Sequence, residues 1–237
     1  MGFECASRTD VGLKRKINED SVFADPERGL WVVADGMGGH EAGEIASAMV
    51  TDALRNLPPC DDLDELASEA VAAIQRVNRE LIDLARASDR QQTIGTTVVG
   101  LAIANGAYRC FWMGDSRAYL FRGGELARIS HDHSLVQNLV DAGMLKPEDA
   151  ESHANANLIT RAVGVAEHAD VDVVAGEAMP GDRFLLASDG LTRVVPDDEI
   201  AAELERSSPG EAVDRLTETV LARGAPDNVS LIVASLV

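Results

Sequence analysis

Hydrophobic positions recur along this chain with two different spacings. Leu63, Leu66, Ala67, Ala70, Val71, Ile74, Val77, Leu81, Leu84 and Ala85 follow the helical period and predict one helix from Leu63 to about Ala87. A further helix is expected from about Gly39 to Leu57, where Pro58-Pro59 stops it. Elsewhere the apolar runs are short and end at turn residues, as strands do. The first thirty-odd residues read as two strands joined by a turn at Asp25-Pro26-Glu27-Arg28-Gly29. The run from Thr96 to Ile103 leads into Ala104-Asn105-Gly106, a hairpin signal, and Tyr119-Leu120-Phe121 leads into the tight turn Arg122-Gly123-Gly124. Residues 130–157 break the β pattern with a polar, His-bearing stretch and a short helical segment near Leu135–Ala142. Strands resume around Val171–Val174 and Asp182–Ser188, helices follow near Ala201 and over about Pro209–Arg223, and a strand closes the chain. Strands clustered in runs with helices between them predict an α+β fold with antiparallel sheets, not a doubly wound parallel one. With no repeat, low-complexity tract or linker, residues 1–237 are expected to form one domain, with 130–157 as an insertion.

Composition narrows the setting. A hydrophobic share of 46% with mixed charges is that of a globular protein, long enough to bury a core. The formal net charge of −19 argues against nucleic acid and anionic membrane as partners. Cys5, Cys60 and Cys110 are odd in number and widely spaced, which fits core or surface thiols in a reducing compartment better than a disulfide framework or a zinc site. No basic, apolar signal opens the chain and no apolar run reaches the length of a membrane span, so a cytoplasmic location is expected.

The chemistry concentrates in aspartates beside glycine or asparagine. Trp31-Val-Val-Ala-Asp35-Gly36, Phe111-Trp-Met-Gly-Asp115, Phe184-Leu-Leu-Ala-Ser-Asp189-Gly190 and Asp227-Asn228-Val-Ser-Leu-Ile-Val233 each set a carboxylate at the end of an apolar run, hence at the rim of a sheet. Carboxylates gathered at one rim repel unless a cation lies between them. Hard oxygen ligands without a His or Cys cluster favour Mg²⁺ or Mn²⁺ over zinc. The glycines of Asp35-Gly36-Met37-Gly38-Gly39-His40 would let the backbone approach a bound ion or phosphate, with the Gly36 carbonyl a candidate ligand beside Asp35. Ahead of Asn18-Glu19-Asp20 lies the basic run Lys14-Arg15-Lys16, where Arg15 could grip a phosphate with both arms of its guanidinium.

Taken in order, Thr9-Asp10-Val11-Gly12, Arg15, Asn18-Glu19-Asp20, Val33-Ala34-Asp35-Gly36-Met37-Gly38-Gly39, Gly95-Thr96-Thr97, Gly114-Asp115-Ser116-Arg117, Asp132-His133-Ser134, Thr160-Arg161-Ala162-Val163-Gly164, Ser188-Asp189-Gly190 and Asp227-Asn228-Val229-Ser230 resemble the metal-dependent protein serine/threonine phosphatases of type 2C, bacterial branch. The resemblance runs from about residue 7 to 235. It implies a four-layer αββα sandwich of two antiparallel sheets flanked by helices, with residues 130–157 as a flap over the active-site edge. It implies that Asp35 bridges two Mn²⁺ or Mg²⁺ ions, that the Gly36 carbonyl binds the first, and that Asp189 and Asp227 hold the second. Glu19 and Asp20 would orient metal-bound waters, Arg15 would bind the substrate phosphate, and Asp115 with Asp189 matches a third-metal site. The implied reaction is in-line attack of a water or hydroxide shared by two cations on a phosphoserine or phosphothreonine of a protein. The implied partners are phosphoproteins and a bacterial Ser/Thr kinase.

Where some members carry a His after Asp-Gly, this chain has Met37, which leaves the general acid open between His40 and a metal-bound water. His133 reads as structural. Three rivals remain: a catalytically dead relative acting as a binding module, another two-metal hydrolase such as a nuclease, and a calcium-stabilised domain. The filled carboxylate positions argue against the first, the negative charge against the second, and the lack of a contiguous EF-hand ligand run against the third.

Overall fold

The computed structural model describes residues 2–38, 42–60, 62–88, 93–150 and 152–237. In chain order the elements are β1 (Phe3–Asp10), β2 (Asp20–Asp25), β3 (Leu30–Gly38), α1 (Ala42–Arg55), α2 (Leu63–Ala87), β4 (Ile94–Thr96), β5 (Val98–Ala104), β6 (Ala107–Met113), β7 (Arg117–Arg122), β8 (Glu125–Arg128), α3 (Leu135–Asp141), β9 (Asp172–Glu177), β10 (Arg183–Ala187), α4 (Asp189–Thr192), α5 (Asp197–Arg206), α6 (Pro209–Ala222) and β11 (Val229–Leu236). They build two sheets, one in the order β1-β11-β10-β7-β8 and one in the order β2-β3-β5-β6-β9 with β4 paired to β3. Every strand pair is antiparallel.

Three apolar layers explain the stacking. Between the sheets lie Trp31, Val33, Val99, Leu101, Phe184, Leu186 and Ile232, each alternating with side chains that face outward. The outward set of the second sheet, including Leu30, Val32 and Phe111, packs under Val50 and Leu54 of α1 and Ile74, Val77 and Leu81 of α2. The outward set of the first sheet, including Leu185, Leu231 and Val233, packs under Leu204 of α5 and Val213 and Leu216 of α6. The result is the expected helix–sheet–sheet–helix order, since a strand alternating apolar residues on both faces needs a layer on each. Helix α2 begins where the Asp62 carboxylate accepts from the Glu65 amide, and α6 begins with a capping box between Ser208 and Glu211.

Three local expectations change. The turn at residues 26–29 joins β2 to β3, while a further strand, β1, precedes them and pairs with β11 in the other sheet. The run from Thr96 to Ile103 is two strands, because the Thr97 amide turns aside to donate to the Asp35 carbonyl. Asp35 lies inside β3 and not at its end: it is the position at which β3 stops pairing with β5 and takes β4 as neighbour. The segment 130–157 carries α3 as expected, and its two ends are tied by a bridge between Ser134 and Ile159.

Candidate metal centre

Asp20 opens β2 and stands directly across from Asp35 in the β2–β3 register. Asp189 is the first residue of α4, two residues past the end of β10, and Asp227 lies two residues before β11. These strands belong to both sheets, so the sandwich itself brings the carboxylates together. Asp35, Asp189 and Asp227 line one channel of about 220 Å³ with Arg15, Glu19, Gly36 and Met37. Asp115, just beyond β6, lies in an adjoining cavity that shares Asp189 and Arg193 with the channel.

Backbone clasps hold these groups in place. Thr96 Oγ1 donates to the Asp35 carbonyl at 2.9 Å, and the Asp35 amide donates to Thr97 Oγ1 at 3.1 Å. Ser188 Oγ donates to Asp20 Oδ2 at 2.9 Å. Asn228 accepts from the Glu19 amide at 2.8 Å and donates to the carbonyls of Val11 and Ile17 at 2.9 and 3.0 Å, which moors the loop bearing Arg15 and Glu19. The glycines also meet a packing need. A Cβ on Gly36 would lie 2.0 Å from the Gly43 carbonyl oxygen, and one on Gly190 would lie 1.8 Å from that of Asn228. Both glycines therefore admit neighbouring backbone: the start of α1 against β3, and α4 against the start of β11.

The electrostatics are those of crowded carboxylates. Burial first, then repulsion from Asp189 and Asp227, pushes Asp20 up to about 7 despite hydrogen bonds from Ser230 and Ser188. Burial and then repulsion by Asp20, Asp189, Asp115 and Asp227 hold Asp35 well above the usual carboxylate range. Asp115 rises to about 7 and Asp189 rises as well, burial leading in each case. Two arginines answer part of this charge: Arg15 donates to Asp227 Oδ2 at 2.7 Å, and Arg193 contacts Asp115 at 2.9 Å and Asp189 at 3.1 Å. Among the described site carboxylates, Asp20 Oδ1 is buried with no hydrogen-bond partner. Among the described residues no three His, Cys, Asp or Glu side chains close on one point as a ready-made cage. The donors are instead hard oxygens spread along a channel, a set that fits Mg²⁺ or Mn²⁺ completed by water.

Asp35, Asp189, Asp227, Gly36, Arg15 and Glu19 thus line one channel, with Asp20 at their side and Asp115 behind Asp189. His40 lies outside the described residues. Met37 lines the channel mouth, together with Asn157 and Ile159 of the segment opposite. His133 is structural: its Nδ1 accepts from the Gly114 amide at 3.1 Å, its Nε2 faces Asp172 at 3.1 Å, and its ring stacks on Trp112. Sequence reasoning missed Arg193, the Asn228 mooring and the Thr96–Thr97 clasp. Only Arg193 left a signal, its place four residues after Asp189 being the spacing at which charges meet along a helical turn.

Comparison with known proteins agrees with this geometry. Serine/threonine protein phosphatase PstP of Mycobacterium tuberculosis is 40% identical over 232 residues, covering 98% of this chain but only 45% of PstP, so the chain spans about half the length of that relative. A putative 2C-type phosphatase of Streptococcus pyogenes is 36% identical, with 94% of each chain covered. Among solved structures, PppA of Pseudomonas aeruginosa matches at TM-score 0.90 and 40% identity over 99% of this chain and 98% of that one. The catalytic domain of PstP with two manganese ions matches at TM-score 0.88 and 39% identity over 99% and 98%. The profile of the Protein phosphatase 2C family matches residues 14–230, and with these motifs on this sandwich the chain belongs to that family.

Proposed function

We propose that this chain is a metal-dependent protein serine/threonine phosphatase domain that hydrolyses phosphoserine and phosphothreonine on proteins. The observation that carries the reading is the convergence of Asp35, Asp189 and Asp227 from both sheets on one channel with Arg15 at its side. The manganese pair of the PstP catalytic domain supports Mn²⁺ or Mg²⁺ as the cofactor. When bound, a divalent pair supplies a water acidic enough to ionise near neutral pH and charge to offset the phosphoryl oxygens. Asp35 and the Gly36 carbonyl would hold one ion, and Asp35, Asp189 and Asp227 the other. Asp20 and Glu19 would orient waters around them, for which the partnerless Asp20 Oδ1 is suited. Arg15, half-exposed beside Asp227, is placed to turn its guanidinium to an incoming phosphate. Substrates would then be phosphoproteins marked by a Ser/Thr kinase, met in the cytoplasm. No helix among the described residues is long and apolar enough to cross a membrane.

The test is hydrolysis of a phosphothreonine peptide and of p-nitrophenyl phosphate with Mn²⁺, with Mg²⁺ and with EDTA, for the wild type and Asp189→Asn. Turnover that requires metal and disappears in Asp189→Asn is expected. Folded protein that turns over neither substrate with either metal overturns the reading and favours a binding module, whereas an Asp189→Asn variant at full Mn²⁺-dependent rate overturns the assignment of Asp189 to the metal centre.

A further inference from the structure

Arg193 follows α4 and uses all three guanidinium nitrogens. Nε lies 3.1 Å from Asp189 Oδ2, and one terminal nitrogen donates to Asp115 Oδ2 at 2.9 Å and to the Ala156 carbonyl at 3.3 Å. The other terminal nitrogen donates to Asn157 Oδ1. One side of the fork therefore spans the two carboxylates and the other grips the segment 130–157. Asp115 is 6% exposed and Arg193 28%, so the pairing is largely shielded from water. Asp189 and Arg193 together form the wall between the channel and the adjoining cavity lined by Asp115, Arg117 and Asp132.

Asp115 and Asp189 are the pair that the family resemblance would give to a third ion. A divalent ion there needs oxygen ligands on all sides at about 2.0–2.2 Å, in space the guanidinium fills. It would also face a fixed positive charge at contact distance, in surroundings where charges interact more strongly than in bulk water. Resting on the phosphatase reading above, we propose that Arg193 is a tethered cation standing in place of a third metal ion between Asp115 and Asp189. It latches residues 156–157 to Asp115 and to Asp189, of which Asp189 also belongs to the two-ion centre, so the domain works with two ions and a segment position set by the protein itself. Arg193 is in this sense a positioning residue. A salt bridge of purely structural value would leave the metal count unchanged when removed; this one would not.

Mn²⁺ binding is measured by calorimetry on the full chain, together with amide hydrogen exchange over residues 152–160. Wild type is expected to bind two ions. Arg193→Met is expected to gain a third, which disappears again in Arg193→Met/Asp115→Asn, while exchange over 152–160 accelerates by about tenfold or more. If Arg193→Met does not fold by circular dichroism, Arg193→Gln takes its place with the same expected gain. Arg193→Lys keeps the charge and loses the fork, so it is expected to hold the count at two while exchange accelerates. A third, Asp115-dependent ion in the wild type, or a folded Arg193→Met that stays at two, overturns the inference and leaves the phosphatase reading standing. Wild type that binds no ion overturns the metal centre itself, and the inference with it.

Discussion

Asn228 is 5% exposed and directs every polar atom of its amide at the loop that carries Arg15 and Glu19. Asn228→Ala removes the bond from the Glu19 amide at 2.8 Å and the two bonds to the Val11 and Ile17 carbonyls at 2.9 and 3.0 Å. A buried intramolecular hydrogen bond contributes about 1 kcal/mol net, so three bonds amount to about 3 kcal/mol of stability. At about 2–4 °C per kcal/mol for a domain of this size, the melting temperature should fall by roughly 6–12 °C. The experiment belongs in EDTA, because a bound ion would add its own stabilisation and mask the loss. With the mooring gone, residues 11–19 should exchange amide protons faster, and with saturating Mn²⁺ the loosened Arg15 should raise KM more than it lowers kcat. A melting temperature within about 2 °C of wild type, with exchange in 11–19 unchanged, would refute the claim that Asn228 holds this loop.

Arg15→Met removes one charge-assisted grip on phosphate, a contact of about 1.5–3 kcal/mol, so kcat/KM for p-nitrophenyl phosphate should fall roughly 10–100-fold. Because Asp227 is freed from its 2.7 Å partner, Mn²⁺ affinity in the same titration should hold or tighten, and weaker binding would count against the assignment. Gly190→Ala puts a Cβ 1.8 Å from the Asn228 carbonyl oxygen, forcing α4 away from β11 and Asp189 away from Asp227. A loss of 3 kcal/mol or more, on the order of the upper range for overpacking, should accompany loss of metal-dependent turnover, and a folded, fully active variant would contradict this. His133 is buried against Trp112 and faces Asp172, Arg161 and His131, with burial holding its pKa below the ordinary value. The unfolded chain therefore takes up a proton near pH 6.5 that the folded one resists, so stability falls as pH drops through that value. Denaturation at pH 7.5 and 5.5 should show His133→Asn losing less stability between the two than wild type, and equal losses would remove His133 from the account.

Asp115, Asp189 and Asp227 were legible because each follows or precedes an apolar run by one or two residues, and a buried strand ends where a carboxylate can reach water. Asp35 was found by the same rule although it breaks it, for it lies within β3 where the strand changes partner. Arg15 was legible as a cation beside acidic residues, but its contact with Asp227 joins positions 212 residues apart, and no local spacing reports that. Gly36 was legible as a close-approach position, and the backbone of α1 comes against it, whereas Gly190 gave no sign that the Asn228 backbone ahead of β11 would lie against it. His133 carries no sequence sign of its tautomer, which depends on an amide donor from Gly114.

What the sequence by itself determined is the local order: helical periodicity over residues 63–87, alternation in the strands, turns at their glycines, and an acid at the end of several runs. These follow from backbone geometry within a few residues, so short windows suffice. Only the tertiary structure decided which acids share a channel, that β1 crosses to the far sheet, and that Arg193 lies between Asp115 and Asp189. Those outcomes depend on two sheets meeting face to face and on charges that find each other only after the apolar layers have closed, since electrostatic partners in a folded chain are chosen by proximity in space.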